Sequence, residues 1–171
     1  MVVTLALAGT AGLLLTAVAG VMLARSRFAT PLIYGACLAL STLVLGVALL
    51  DLLARVPAQE IVLPLGLPWI GAHFRVDALA AFFLVVVNLG GAMASLYALG
   101  YGRHESAPHR VLPFYPAFLA GMNLVVLAAD AFSFLLCWEV MSLASWALVM
   151  AHHREEGNAR AGYLYLVMAS F

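Results

Sequence analysis

From Val111 to Ala151 the chain is almost unbroken apolar sequence. Wound as one α-helix, that stretch would be about 60 Å long, twice the roughly 30 Å hydrocarbon core of a bilayer. It must therefore fold back once, and the "ADA" around Asp130 is its only polar break. This predicts one helix over about 113–128 and another over about 131–151. Pro113 and Pro116 fall at the start of the first, where a missing N–H costs least. Three earlier runs are also long enough to span, over about 2–23, 31–53 and 77–100. A sixth, "AGYLYLVMASF", runs from Ala161 to Phe171 and is too short to cross as a helix. The reading expects either that the chain is a piece of a longer protein or that another polypeptide covers that end.

Composition agrees with this reading. Hydrophobic residues make up 65% of the 171 and charged residues only 9%, with a mean hydropathy of +1.07. A soluble domain carries roughly 25% charged residues. The expected class is an all-α polytopic membrane protein, with residues 1–171 forming a single membrane domain that is incomplete at its C-terminus. It is expected in the cell (inner) membrane of its host. Net charge is zero, so nothing points to nucleic acid. Cys37 and Cys137 lie inside apolar runs and read as small buried hydrophobes. The first run has no basic residue before it and is too long for a signal peptide, so it reads as a retained span.

All eight basic residues are arginines. With the N-terminus outside, the inner connections hold Arg25, Arg27, Arg103, Arg110, Arg154 and Arg160, and the outer ones only Arg55 and Arg75. Six against two favours that orientation by the positive-inside rule. The loop from Arg55 to Val76 ends in "WIGAHFRVD", which alternates Ile70, Ala72, Phe74 and Val76 against Gly71, His73 and Arg75. A period of two predicts a strand. "EIVLPLGLP" before it offers a rougher partner, weakened by Pro64 and Pro68. The expectation is a small β-hairpin on the outer face, a surface suited to a neighbouring subunit; an irregular loop is the alternative. In the third span, Gly90 and Ala94, Gly91 and Ser95, and Ala94 and Ala98 repeat small residues at four-residue spacing, which lets helices approach closely.

One carboxylate stands apart. Glu139, in "FLLCWEVMSLASW", lies about 12 Å along a helix that starts at Ala131, well inside the core. The other acids sit at helix ends or in connections. A charge at that depth costs about 2.5–3.5 kcal/mol even on the lenient insertion scale. Such a carboxyl suits a proton relay. The alternative is a protonated glutamate that only hydrogen-bonds a neighbouring helix. Ser142, one turn along, and Asn123, mid-span on the preceding helix, are the candidate partners. His73, His104, His109, His152 and His153 all fall in loops or at helix ends, which removes a bundle haem. "HHREE" at 152–156 reads as a solvated connection rather than a metal site. No phosphate loop, nucleophile elbow or cysteine cluster is present, so no cofactor and no redox centre are expected.

"HFRVDALAAFFLVVVNLGG", "ADAFSFLLCWEVMSLASWALV" and "AGYLYLVMAS" resemble the antiporter-like proton-translocating subunits of respiratory complex I, Mrp antiporters and membrane-bound hydrogenases. "WEVMSLASWALV" followed by "AGYLYLVM" resembles the hydrogenase-4 component B and formate hydrogenlyase membrane subunit branch. The likeness covers roughly residues 60 to 171. It implies a fold of about fourteen helices built on two inverted repeats of five. It also implies that Glu139 is a proton-pathway residue paired with a lysine on a later, broken helix, and that the hairpin contacts neighbouring subunits. This chain has no lysine and stops before the helices that carry one in the family. The expected function is a proton-translocating subunit fragment of a membrane-bound hydrogenase or related respiratory complex. Its partners are then the bilayer, other membrane subunits, and protons or sodium. An Mrp-type cation/proton antiporter subunit and a truncated, non-conducting structural subunit are the rival readings.

Overall fold

The structure is a computed structural model that describes residues 1–24, 26, 28–54, 57–66, 69, 71–102, 108–152 and 158–170. Six helices carry it: α1 (Val2–Met22), α2 (Ala29–Ala54), α3 (Ala78–Tyr101), α4 (Phe114–Leu127), α5 (Ala131–Val149) and α6 (Asn158–Ser170). Among the described residues, five segments are long and apolar enough to cross a membrane, the fourth running Pro108–Leu127 once the short 3₁₀ turn before α4 is included. The chain is a multi-pass membrane protein by this measure. Helix α2 begins two residues before the expected Pro31, which then sits in the first turn, where proline is tolerated. Helix α6 begins three residues before Ala161.

The hairpin forms. Strand β1 (Gln59–Leu63) pairs antiparallel with β2 (Ala72–Val76), in a register that sets Ile61 opposite Phe74. The first strand stops before Pro64, which avoids an unmade ladder bond. Gly66 and Gly71 take positive φ in the connection, where a side chain would be strained. Ala72, Phe74 and Val76 are buried and alternate with His73 and Arg75, as a period of two requires. Pro68 and Ile70 lie outside the described residues.

Helices α1 to α4 close a ring: α1 packs on α2 and α4, α2 on α3, and α3 on α4. Helix α5 is added outside the ring against α4, and α6 against α5. Two apolar clusters fill the ring. One lies under the hairpin and includes Val3, Val44, Phe74, Leu84 and Leu127. The other lies toward the opposite end and includes Leu13, Ile33, Tyr34, Leu112 and Leu119. Of the three small-residue pairs on α3, only Gly91 and Ser95 are both buried; Gly90 and Ala94 face outward. Close approaches to another helix's or segment's backbone lie elsewhere, at Gly20 against the Leu112 carbonyl and at Gly121 against the Met141 backbone.

Aspartates begin two of the helices on the hairpin side. Asp77 Oδ1 accepts from Ala80 N at 2.9 Å and caps α3; Asp130 Oδ1 accepts from Ser133 N at 2.8 Å and caps α5. Asp130 also accepts from the His73 amide. Hydrogen bonding from Ser133, and more weakly from the His73 amide, holds the Asp130 carboxyl down to about 2 against an opposing effect of burial. Because the folded group stays ionised below the ordinary 3.8, its bonds contribute full stability above that value and lose it as pH falls toward 2. Protection of the His73 and Ser133 amides, measured as exchange relative to the free-peptide rate at the same pH, is expected to fall on acidification through that window and to stay level between pH 5 and 8.

Candidate functional site around Glu139

Helix α5 buries few of its residues: Ser133, Cys137, Ser142 and Ala144. Its α4-facing side is marked by Cys137, which joins the cluster under the hairpin. Successive residues turn by about 100° around a helix, so Glu139 lies about 200° from Cys137. Burying Cys137 therefore points Glu139 away from the ring, and the glutamate is exposed. Its neighbours one turn away on either side include Leu135, Leu136 and Leu143, each more than half exposed. This is an apolar outward face with one carboxylate near its middle.

The two proposed partners sit elsewhere. Asn123 is fully buried and bonded to α3: Asn88 Nδ2 donates to Asn123 Oδ1 at 2.7 Å, and Asn123 Nδ2 reaches Asn88 Oδ1 at 3.4 Å. Each amide also donates one turn back within its own helix, to Leu84 O at 2.8 Å and Leu119 O at 3.1 Å. Ser142 is buried. No hydrogen bond joins Glu139 to either of them among the described residues. The ion pairs there, His73–Glu60 and Arg75–Asp77, both belong to the hairpin and its exit. Arg110 Nη1 donates to Ala151 O at 3.2 Å, at the far end of α5.

Asn88 was missed as a partner, although its place near the middle of α3 is the same signal that singled out Asn123. A second polar contact joins the same helices. Ser95 Oγ and Tyr115 OH stand 2.8 Å apart, and Tyr115 OH donates to Gly91 O at 3.2 Å. His73 lies on β2 with Nδ1 2.7 Å from Glu60 Oε1, and His109 in the turn before α4. His104 and most of the "HHREE" stretch, from His153 to Glu156, lie outside the described residues, as do Arg25, Arg27, Arg55, Arg103 and Arg154.

An apolar groove of about 640 Å³ opens between α1 and α5 over α4, beneath the hairpin, lined by Leu7, Ala11, Leu63, Phe74, Leu124 and Cys137 among others. It lies on the Cys137 side of α5, so it is not the environment of Glu139.

No family model matches the chain. It is 36% identical over 102 residues to an uncharacterized protein of Mycobacterium tuberculosis, covering 60% of this chain and 16% of that one. It is 36% identical over 97 residues to hydrogenase-4 component B of Escherichia coli, covering 56% and 14%. It is 27% identical over 142 residues to NADH-quinone oxidoreductase subunit L of Mycobacterium tuberculosis, covering 78% and 22%. The chain is a distant, partial relative of antiporter-like membrane subunits. It spans about a fifth or less of the length of these three relatives. The two named antiporter-like relatives are a component and a subunit of larger assemblies.

Proposed function

We propose that this chain is part of a proton-translocating, antiporter-like subunit of a multi-subunit membrane complex of the hydrogenase-4 or complex I kind. Glu139 is its intramembrane relay carboxylate. The carrying observation is the placement of Glu139, mid-span and outward on α5, with no cation beside it among the described residues. A carboxylate facing hydrocarbon is costly by about 2.5–3.5 kcal/mol. A further helix presenting a positive or hydrogen-bonding group lowers that cost, and the chain itself contains no lysine to serve. Glu139 then takes up and releases a proton as the charge opposite it changes. Electrons and metals belong to other subunits. The arginine distribution favours an external N-terminus, with the hairpin on the outer side.

The test is Glu139→Gln in the protein within its own membrane. Proton translocation is expected to fall about a hundredfold or more, the low end of what a positioned acid–base group contributes, while the complex still assembles. Unchanged translocation would remove the relay and leave the structural-subunit reading standing. The partial similarity to a cation/proton antiporter subunit supports a second reading that differs in the coupled ion. Sodium or alkali sensitivity on deletion, in place of lost hydrogen- or formate-linked respiration, would select it.

A further inference from the structure

We propose that Asp130 is a positioning residue that fixes the helix of Glu139 to the hairpin, so that α5 takes its depth and rotation from β2. Its importance for ion movement rests on the relay reading of Glu139; the geometry stands by itself. The two carboxylate oxygens bind two different elements. Oδ1 accepts from Ser133 N at 2.8 Å, inside the first turn of α5, and Oδ2 accepts from His73 N at 2.9 Å, on β2. The residues just before Asp130 are bound to the same strand. Ala129 N donates to His73 O at 2.9 Å, and Ala128 bridges antiparallel to Phe74. The α4–α5 connection therefore continues the two-stranded sheet along the free side of β2.

The hairpin is anchored in turn. Glu60 on β1 meets the His73 ring, and the N-terminal ammonium donates to Gln59 Oε1 at 2.7 Å. A displacement of the hairpin is passed through His73 to Asp130 and so to the start of α5. Glu139 lies nine residues further on, about 13 Å along a continuous helix. A helix with its backbone bonds intact moves as a rod over that length, so the carboxylate follows the clamp. The arrangement ties the hairpin to the helix that carries Glu139.

Because each oxygen has its own task, a substitution can separate them. Serine is as good an N-cap as aspartate, but its single short hydroxyl cannot also reach the His73 amide. Asp130→Ser keeps the cap on α5 and releases the strand; Asp130→Ala loses both. The readout is the rate at which a hydrophobic carbodiimide labels Glu139 in the protein purified from its own membrane, located by mass spectrometry of the labelled peptide. Thermal unfolding is followed in parallel. Asp130→Ser is expected to change the labelling rate about threefold or more, modest beside the roughly 10²-fold that a 1 Å misplacement costs a reacting geometry, with its unfolding midpoint close to the wild type. Asp130→Ala is expected to change both. If Asp130→Ser labels at the wild-type rate, Asp130 is a cap alone and the coupling is wrong. Should the serine variant not insert, Asp130→Asn, which also offers one acceptor oxygen, carries the same comparison. Labelling does not require that Glu139 relay protons, so loss of the relay reading in Glu139→Gln would leave this result readable.

Discussion

Replacing Gly121 with valine is expected to destabilise the protein by about 3 kcal/mol, at the upper end of what overpacking a close contact costs. Gly121 lies on α4 where α5 passes closest. A Cβ there would stand 2.8 Å from both Cα and Cβ of Met141 and 3.3 Å from its backbone nitrogen. A flexible side chain could give way, but a helix backbone moves only if the whole helix moves. The helices must separate, and the dispersion contacts along the α4–α5 interface are lost together. In a bilayer those contacts are much of what holds two helices against each other. Gly90→Val is the control, since a Cβ at Gly90 meets nothing within 4 Å. Unfolding titrations of the two variants in bicelles should differ clearly; equal stability would mean α4 and α5 do not meet as described. Met141 is two residues from Glu139, so the same variant should also shift that carboxylate and with it the proposed relay.

The second large effect is expected at the amide pair. Asn123→Leu leaves Asn88 in a dry ring with its Oδ1 partner gone, which costs about 1–2 kcal/mol. Asn88 is 1% exposed and Asn123 0%, so water cannot replace the lost bond. Asn88→Leu should cost a similar amount. The double variant removes both polar groups and keeps apolar volume. It should be less destabilised than the two single losses added together, by at least about 0.5 kcal/mol, the lower bound for residues in direct contact. Strict additivity in the cycle would show that the two amides do not bind each other.

These two positions also show what hydropathy alone cannot read. Asn123 was expected as a partner for Glu139, and its depth made that reasonable. The structure pairs it with Asn88, because Asn123 lies on the α3 side of α4 while α5 lies across the helix. Small-residue spacing drew attention to α3, where Gly91 and Ser95 do lie buried in the packing. Gly121 on α4 makes one of the closest backbone approaches, and although Ala117 stands four residues before it, the pair drew no attention beside the denser run of small residues on α3. Leu112 and Pro113 pressing on Gly20 gave no sequence signal either.

The spans themselves were legible from the chain. Run length against bilayer thickness placed five helices, and the one polar break at Asp130 located the turn that separates α4 from α5. Alternation over Ala72–Val76 announced β2. All of these depend on residues within a turn or two of one another, so a linear reading reaches them. The depth of Glu139 follows in the same way from its distance to Asp130. Its direction does not. Helix α5 is apolar around nearly its whole circumference, and lipid tails are as apolar as leucine. The hydrophobic pattern therefore does not distinguish a lipid-facing side from a protein-facing one. Which side of α5 meets α4, and hence that Glu139 points outward and Asp130 clasps His73, was settled only by helix packing and by the sheet reaching across from β2.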